Sequence, residues 1–383
     1  MVGHRRSARG ARLAFAALAT AATLGLVACS SDPDAARGED STTSTTTTVS
    51  WATEPLGLTP ATTAPAGLGE DVEFYQDVRC GDAERNVIDV AVPAEPDEQD
   101  QQGEGADAAG EDPSIPLVIH LHGGGFTAGD KSGLWEDDEV GVARELLDRG
   151  VAVASMNYTL LAEVDPDGVR TPLLDAARCL QFVRYHGPAT FGIDPELVAL
   201  RGGSAGAGTS LWLATHDDLA DPGADDPVLR QSTKPLAVVA HETQATYDLV
   251  RWSTDVFTEY DELFGGKNLI ELAQAFGLSQ RLLSFYGITD PALLESEEIL
   301  EYRADVDVLG LMDAEDPPAW IANTREEDAV PVSVGLLFHH ADHARALQAR
   351  AAQVGYDATV TAGPGQVPET SEVDYLLAAF DAA

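Results

Sequence analysis

Leu197-Val198-Ala199-Leu200-Arg201-Gly202-Gly203-Ser204-Ala205-Gly206-Ala207-Gly208 is the stretch that decides how this chain folds. Residues 197–200 are an apolar run that reads as a buried strand. Residues 210–214, Ser-Leu-Trp-Leu-Ala, have helical character. Between them, Gly202-Gly203-Ser204-Ala205-Gly206 matches Gly-x-Ser-x-Gly, which sets a serine on a tight strand-to-helix turn with its hydroxyl exposed. A serine hydroxyl is a weak nucleophile unless a base takes its proton, so the motif also calls for a histidine.

Upstream lies His122-Gly123-Gly124-Gly125-Phe126, entered by the apolar run Leu117-Val118-Ile119-His120-Leu121. His-Gly-Gly-Gly is the rarer match in a chain with 35 glycines. Such a loop offers backbone N–H groups to an oxyanion formed when a serine attacks a carbonyl. Glycine suits it because the backbone must approach substrate without a Cβ in the way. His122 itself reads as a structural histidine bonding the loop. The run has no Gly-Lys-Ser/Thr ending, so a phosphate loop is not expected.

Strands are predicted at residues 72–78, 87–92, 117–121, 151–156, 197–200, 235–240, 319–322 and 358–361. Helices are predicted at 140–149, 171–185, 334–354 and 371–382. Strands alternating with helices predict an α/β fold, a mostly parallel central sheet covered on both faces. Residues 254–312 interrupt the alternation with a helical stretch carrying Phe257, Tyr260, Phe264, Phe276, Phe285 and Tyr286. Residues 95–112 are acidic, rich in Gln and Gly, and predicted to be a disordered surface loop.

The N-terminus reads as a targeting segment. His4, Arg5, Arg6, Arg9 and Arg12 precede an apolar stretch, residues 13–27, too short for a comfortable membrane span. It ends Leu26-Val27-Ala28-Cys29, which resembles a bacterial lipobox. That resemblance implies a signal peptide over 1–28, lipid on Cys29, and export to the outer face of the bacterial cell membrane. Residues 29–67, rich in Ser, Thr, Ala and Pro, read as a disordered tether, leaving 68–383 as the folded domain. With Cys29 lipidated, Cys80 and Cys179 remain and are a candidate disulfide in an exported chain. The net charge of −41 argues against nucleic acid and anionic head groups as partners.

Together these residues resemble the bacterial carboxylesterases of the α/β-hydrolase superfamily, both hormone-sensitive-lipase-like and BD-FAE-type esterases. The likeness is strongest at residues 122–126, at Asp194-Pro195 and at 202–208. It implies an α/β-hydrolase fold with a helical cap at 254–312, though that stretch also reads as packing helices without a substrate role. It implies Ser204 as nucleophile acting on a small ester, and an oxyanion hole of the Gly123, Gly124 and Ala205 N–H groups. It implies no cofactor and no metal. In the family's pattern the acid follows the seventh strand. Glu327 stands at that position and Asp328 is the adjacent alternative; an acidic surface loop is the other reading.

The base departs from the pattern. In the order Ser, acid, His, the histidine belongs after the final strand. That loop reads Ala362-Gly363-Pro364-Gly365-Gln366-Val367-Pro368, and glutamine is no base near neutral pH. The histidines that follow Glu327 are His339, His340 and His343, in the penultimate predicted helix. His339 or His340 is a candidate relocated base. His339 and His343, four apart, could instead share a helix face as metal ligands, or all three could be capping or surface residues. His216 and His241 are further candidates, His216 reading as a local cap. Two functions stay open. One is an active serine esterase with a recruited base. The other is a pseudo-hydrolase or binding protein that kept the loop and lost turnover.

Overall fold

The computed structural model describes residues 54–69, 71–94, 114–136, 139–162, 165–260, 267, 269–274, 279–325, 330–331 and 333–383. Cys29, the 1–28 segment, the 95–112 loop, Glu327 and Asp328 lie outside them.

Eight strands form one sheet: β1 (Val72–Arg79), β2 (Val87–Pro93), β3 (Ile115–Leu121), β4 (Ala152–Met156), β5 (Ile193–Gly203), β6 (Val238–His241), β7 (Ala319–Asn323) and β8 (Ala358–Ala362). Their order is β1-β2-β4-β3-β5-β6-β7-β8. β1 pairs antiparallel with β2 and β2 antiparallel with β4, while every pairing from β4 to β8 is parallel. Each of the eight predicted strands is present.

Alternation along β3 shows how the layers are built. Leu117, Ile119 and Leu121 enter one core with Leu200, Val238, Ala240 and Ile321. Val118 enters the opposite core with Ala199, Val239 and Trp320. A side-chain period of two, apolar on both faces, is what a parallel strand covered by helices requires. The first core is closed by helices α2 (Arg170–Phe191) and α3 (Ala205–Thr215), the second by α1 (Val140–Leu147) and the final helix Glu372–Asp381.

The chain runs from β3 outward to β4, then returns to lay β5 on the other side of β3. That reversal is a topological switch point, where a crevice opens beyond the carboxyl ends of the strands. The loop 122–125 leaves β3 there and Ser204 leaves β5, so the connectivity brings the two glycine motifs together.

Cys80 and Cys179 form a disulfide, with Cα atoms 5.0 Å apart and 99 residues separating them. It fastens the end of β1 to α2. A closed loop of this length is worth about 4.7 kcal/mol in the chain-entropy account.

Two expectations shift. Part of the expected tether is structured: Leu56 N–H donates to Thr190 Oγ1 at 3.2 Å and Ala61 N–H to the Phe74 carbonyl at 2.7 Å. These backbone groups find partners on the domain, so its edge lies before Gly67. The expected single helix over 334–354 is two, Val334–His339 and Ala341–Val354, broken at His340 with ψ 143°.

Candidate active site

Ser204 sits between β5 and α3 at φ 51° and ψ −117°, a left-handed φ that side-chain-bearing residues seldom adopt. Three hydrogen bonds hold the turn. Ser204 N–H donates to the His241 carbonyl at 2.8 Å, and its carbonyl accepts from Gly208 N–H at 3.0 Å. Tyr247 Oη–H donates to the Ala205 carbonyl at 2.6 Å. The turn also needs glycine at 206, because a Cβ there would lie 2.0 Å from the Leu121 carbonyl at the end of β3. Strain at a site so heavily fixed is the usual mark of a functional turn.

Ser204 Oγ lies 2.8 Å from His339 Nε2, within hydrogen-bond reach. His339 is the last residue of helix Val334–His339, which Ser333 caps by accepting from Leu336 N–H. The helix stops because His340 turns extended and caps the next one, its Nδ1 accepting from Asp342 N–H at 3.1 Å. The break separates the three histidines. His340 is fully buried, its ring against Phe257 and Tyr260, and belongs to packing. His343 Nδ1 accepts from Ala245 N–H at 3.1 Å, so its Nε2 carries the proton and donates to the Leu337 carbonyl at 2.9 Å. Burial pushes the His343 pKa down to about 3. With both ring nitrogens used, His343 cannot share a metal with His339. Gln366 is exposed in the turn after β8.

The loop 122–125 is held by its carbonyls. Tyr158 Oη–H donates to the His122 carbonyl at 2.6 Å. His122 Nδ1 lies 2.7 Å from the Gly123 carbonyl and must donate to it. The Gly124 carbonyl accepts from Thr127 and Ala128 N–H at 3.1 and 3.2 Å. Across trans peptides, the Gly123 and Gly124 N–H groups point away from those tethered carbonyls. Gly124 has φ 106°, and a Cβ on it would lie 2.1 Å from the Ala128 carbonyl. His122 stacks on Tyr158 with centroids 4.3 Å apart, and burial lowers its pKa despite the bond to Gly123. It serves the loop's shape.

Gly123, Gly124, Ser204 and His339 line one cavity of about 1260 Å³, larger than most small-molecule pockets. Leu269, Ala273 and Leu282 from the helical insert, with Leu337 and Phe338, complete an apolar side, and Arg281 of the insert also lines the cavity. Part of the insert therefore faces the site.

At the cavity's far side Glu372, the first residue of the final helix, accepts from His241 Nε2 at 3.0 Å and Arg201 Nε at 2.6 Å. Burial alone would raise the Glu372 pKa, but the His241 hydrogen bond and the Arg201 charge bring it down to about 2. An unfolded glutamate takes up its proton near 4.5, so this stabilisation is complete above that pH and is lost as pH falls from 4.5 towards 2. Urea unfolding across that range is expected to show wild-type stability falling by about 3 kcal/mol more than that of Glu372→Gln. Parallel slopes would show that the pairing contributes nothing.

Sequence reading did not single out Tyr158, Tyr247, Glu372 or Arg281. Tyr158 follows a buried strand by two residues, a position from which it was findable. The other three come from distant elements and carry no local pattern. His216 is bonded to Asp217 and to Asp305, 3.0 Å from Nε2, away from the cavity.

A family model described as BD-FAE matches residues 107–268. Comparison with curated protein sequences gives no match. Among solved structures, an inhibited esterase B from Lactobacillus rhamnosis is 19% identical, with TM-score 0.51, 82% of this chain and 88% of that chain covered. A truncated carbohydrate esterase from gut microbiota is 16% identical, with TM-score 0.53 and coverage of 86% and 99%. Sheet order, switch point and these likenesses agree that the chain has the α/β-hydrolase fold.

Proposed function

We propose that the protein is a serine carboxylic-ester hydrolase. The observation that carries this is the 2.8 Å contact between Ser204 Oγ and His339 Nε2 at a strained strand-to-helix turn. In this reading Oγ attacks the ester carbonyl and its proton passes to His339 Nε2. The tetrahedral oxyanion is held by the N–H groups of Gly123, Gly124 and Ala205, the last an orphan donor at the start of α3. Collapse releases the alcohol, which takes the proton back from His339 and leaves an acyl group on Ser204. Water then attacks the acyl carbon and gives a proton to His339; the second tetrahedral intermediate collapses with cleavage of the bond to Oγ, the carboxylic acid leaves, and Ser204 Oγ takes the proton back from His339. Glu327 or Asp328, after β7, supplies the carboxylate that orients the imidazole.

The pseudo-hydrolase reading rested on a missing base; in the reading proposed here His339 meets that need from the end of helix Val334–His339. A related structure of esterase B carries a tributyrin phosphonate, the kind of reagent such a serine would take up. The apolar cavity wall suits the acyl chain of a small ester. We also propose export and lipidation on Cys29, from the lipobox-like residues 26–29; a disulfide at Cys80 and Cys179 is at home in an oxidising compartment.

The test is covalent capture. An alkyl phosphonofluoridate is expected to add one alkylphosphonyl group to the peptide containing Ser204, with loss of fluoride. An unmodified Ser204 after prolonged exposure would sink the proposal.

A further inference from the structure

Arg281 stands out in a chain with 64 acidic residues and 23 Lys and Arg. It projects from the helical insert into the cavity that holds Ser204. Its Nη1 donates to Ser284 Oγ at 3.2 Å and its Nη2 to the Gly125 carbonyl. Its guanidinium carbon lies over the Phe285 ring, 5.1 Å from the centroid. Among the described residues it has no carboxylate partner.

The carboxylates that line the same cavity are already engaged. Glu139 and Glu372 are paired with Arg201 at 2.9 and 2.6 Å. Asp130 accepts from Asn157 Nδ2 at 2.8 Å and lies 3.6 Å from Arg85. Glu242 accepts from Thr324 and Arg325 N–H at 2.8 and 3.0 Å through Oε1, while its buried Oε2 has no hydrogen-bond partner among the described residues. Arg281 thus keeps its charge half-buried, and burial is the cause that lowers its pKa. A desolvated cation without a counter-ion is costly unless a ligand supplies the charge. A guanidinium carries five N–H donors in a fork that matches a carboxylate.

We propose that the ester taken by this site carries a carboxylate besides its scissile bond, and that Arg281 is the residue that selects it. This deepens the esterase reading and rests on it. Arg325, exposed on the same cavity, is placed to add to the attraction.

The experiment compares mono-p-nitrophenyl glutarate with p-nitrophenyl valerate, esters of equal chain length, one charged. Wild type is expected to favour the glutarate ester in kcat/KM. In Arg281→Gln that preference is expected to fall about tenfold or more, with Arg281→Lys recovering part of it. A purely structural role would slow both esters alike and leave the ratio unmoved, which overturns the proposal. So does a wild type that prefers valerate. Calorimetry with free glutarate gives a readout without turnover. Binding weakened in Arg281→Gln supports the selection even if the chemistry at Ser204 is otherwise, and no binding to wild type counts against it.

Discussion

Ser204→Ala is expected to lower kcat/KM for p-nitrophenyl butyrate by about 10³- to 10⁶-fold, with the residue left by the oxyanion donors and binding alone. The Oγ is the atom aimed at His339, and alanine removes it while keeping the Cβ. The fold should survive. Ser204 is fastened through its backbone, by the bonds to His241 and Gly208, and neither uses the hydroxyl. An unchanged melting temperature beside lost turnover is therefore the signature to look for. Equal rates for the two proteins would refute the assignment of Ser204.

His339→Ala is expected to cost nearly as much, because a nucleophile and its base act as a unit and their losses are not additive. Ser204→Ala/His339→Ala should be little worse than either single variant. The neighbouring histidines give the contrast. His343→Ala leaves the Ala245 N–H and the Leu337 carbonyl without their buried partner, and is expected to lower stability by about 1–3 kcal/mol while the folded fraction keeps its kcat. Activity that survives His339→Ala would overturn its assignment as the base and point to another proton acceptor.

Much of the site was legible in sequence because it is made of local rules. Gly202 to Gly206 and His122 to Gly125 each follow an apolar run, and a glycine-rich turn after a strand has few other meanings. The histidine beside Ser204 was not legible in the same way. Phe338-His339-His340-Ala341-Asp342 reads as unbroken helix, and His339 reaches Ser204 because His340 leaves helical conformation to cap the segment that follows. Capping by histidine competes weakly with helix propensity, so the break is decided by packing around Phe257 and Trp252. The chain-order rule pointed to Gln366 for the same reason: it assumes a standard spacing after the last strand, and the histidine that lies against Ser204 comes from before that strand. The charged groups of the cavity, Arg281 and Glu372, come from the insert and the final helix and meet only when the chain is folded.

The bond between Cys80 and Cys179 closes a ring of backbone that contains the loop 122–125 but neither Ser204 nor His339. A peptide bond cut anywhere inside that ring, for instance within the acidic residues 95–112, would leave the fragments covalently joined. A nicked molecule would stay one covalent species, heavier by one water per cut, and carry all parts of the site together until a reductant let them part.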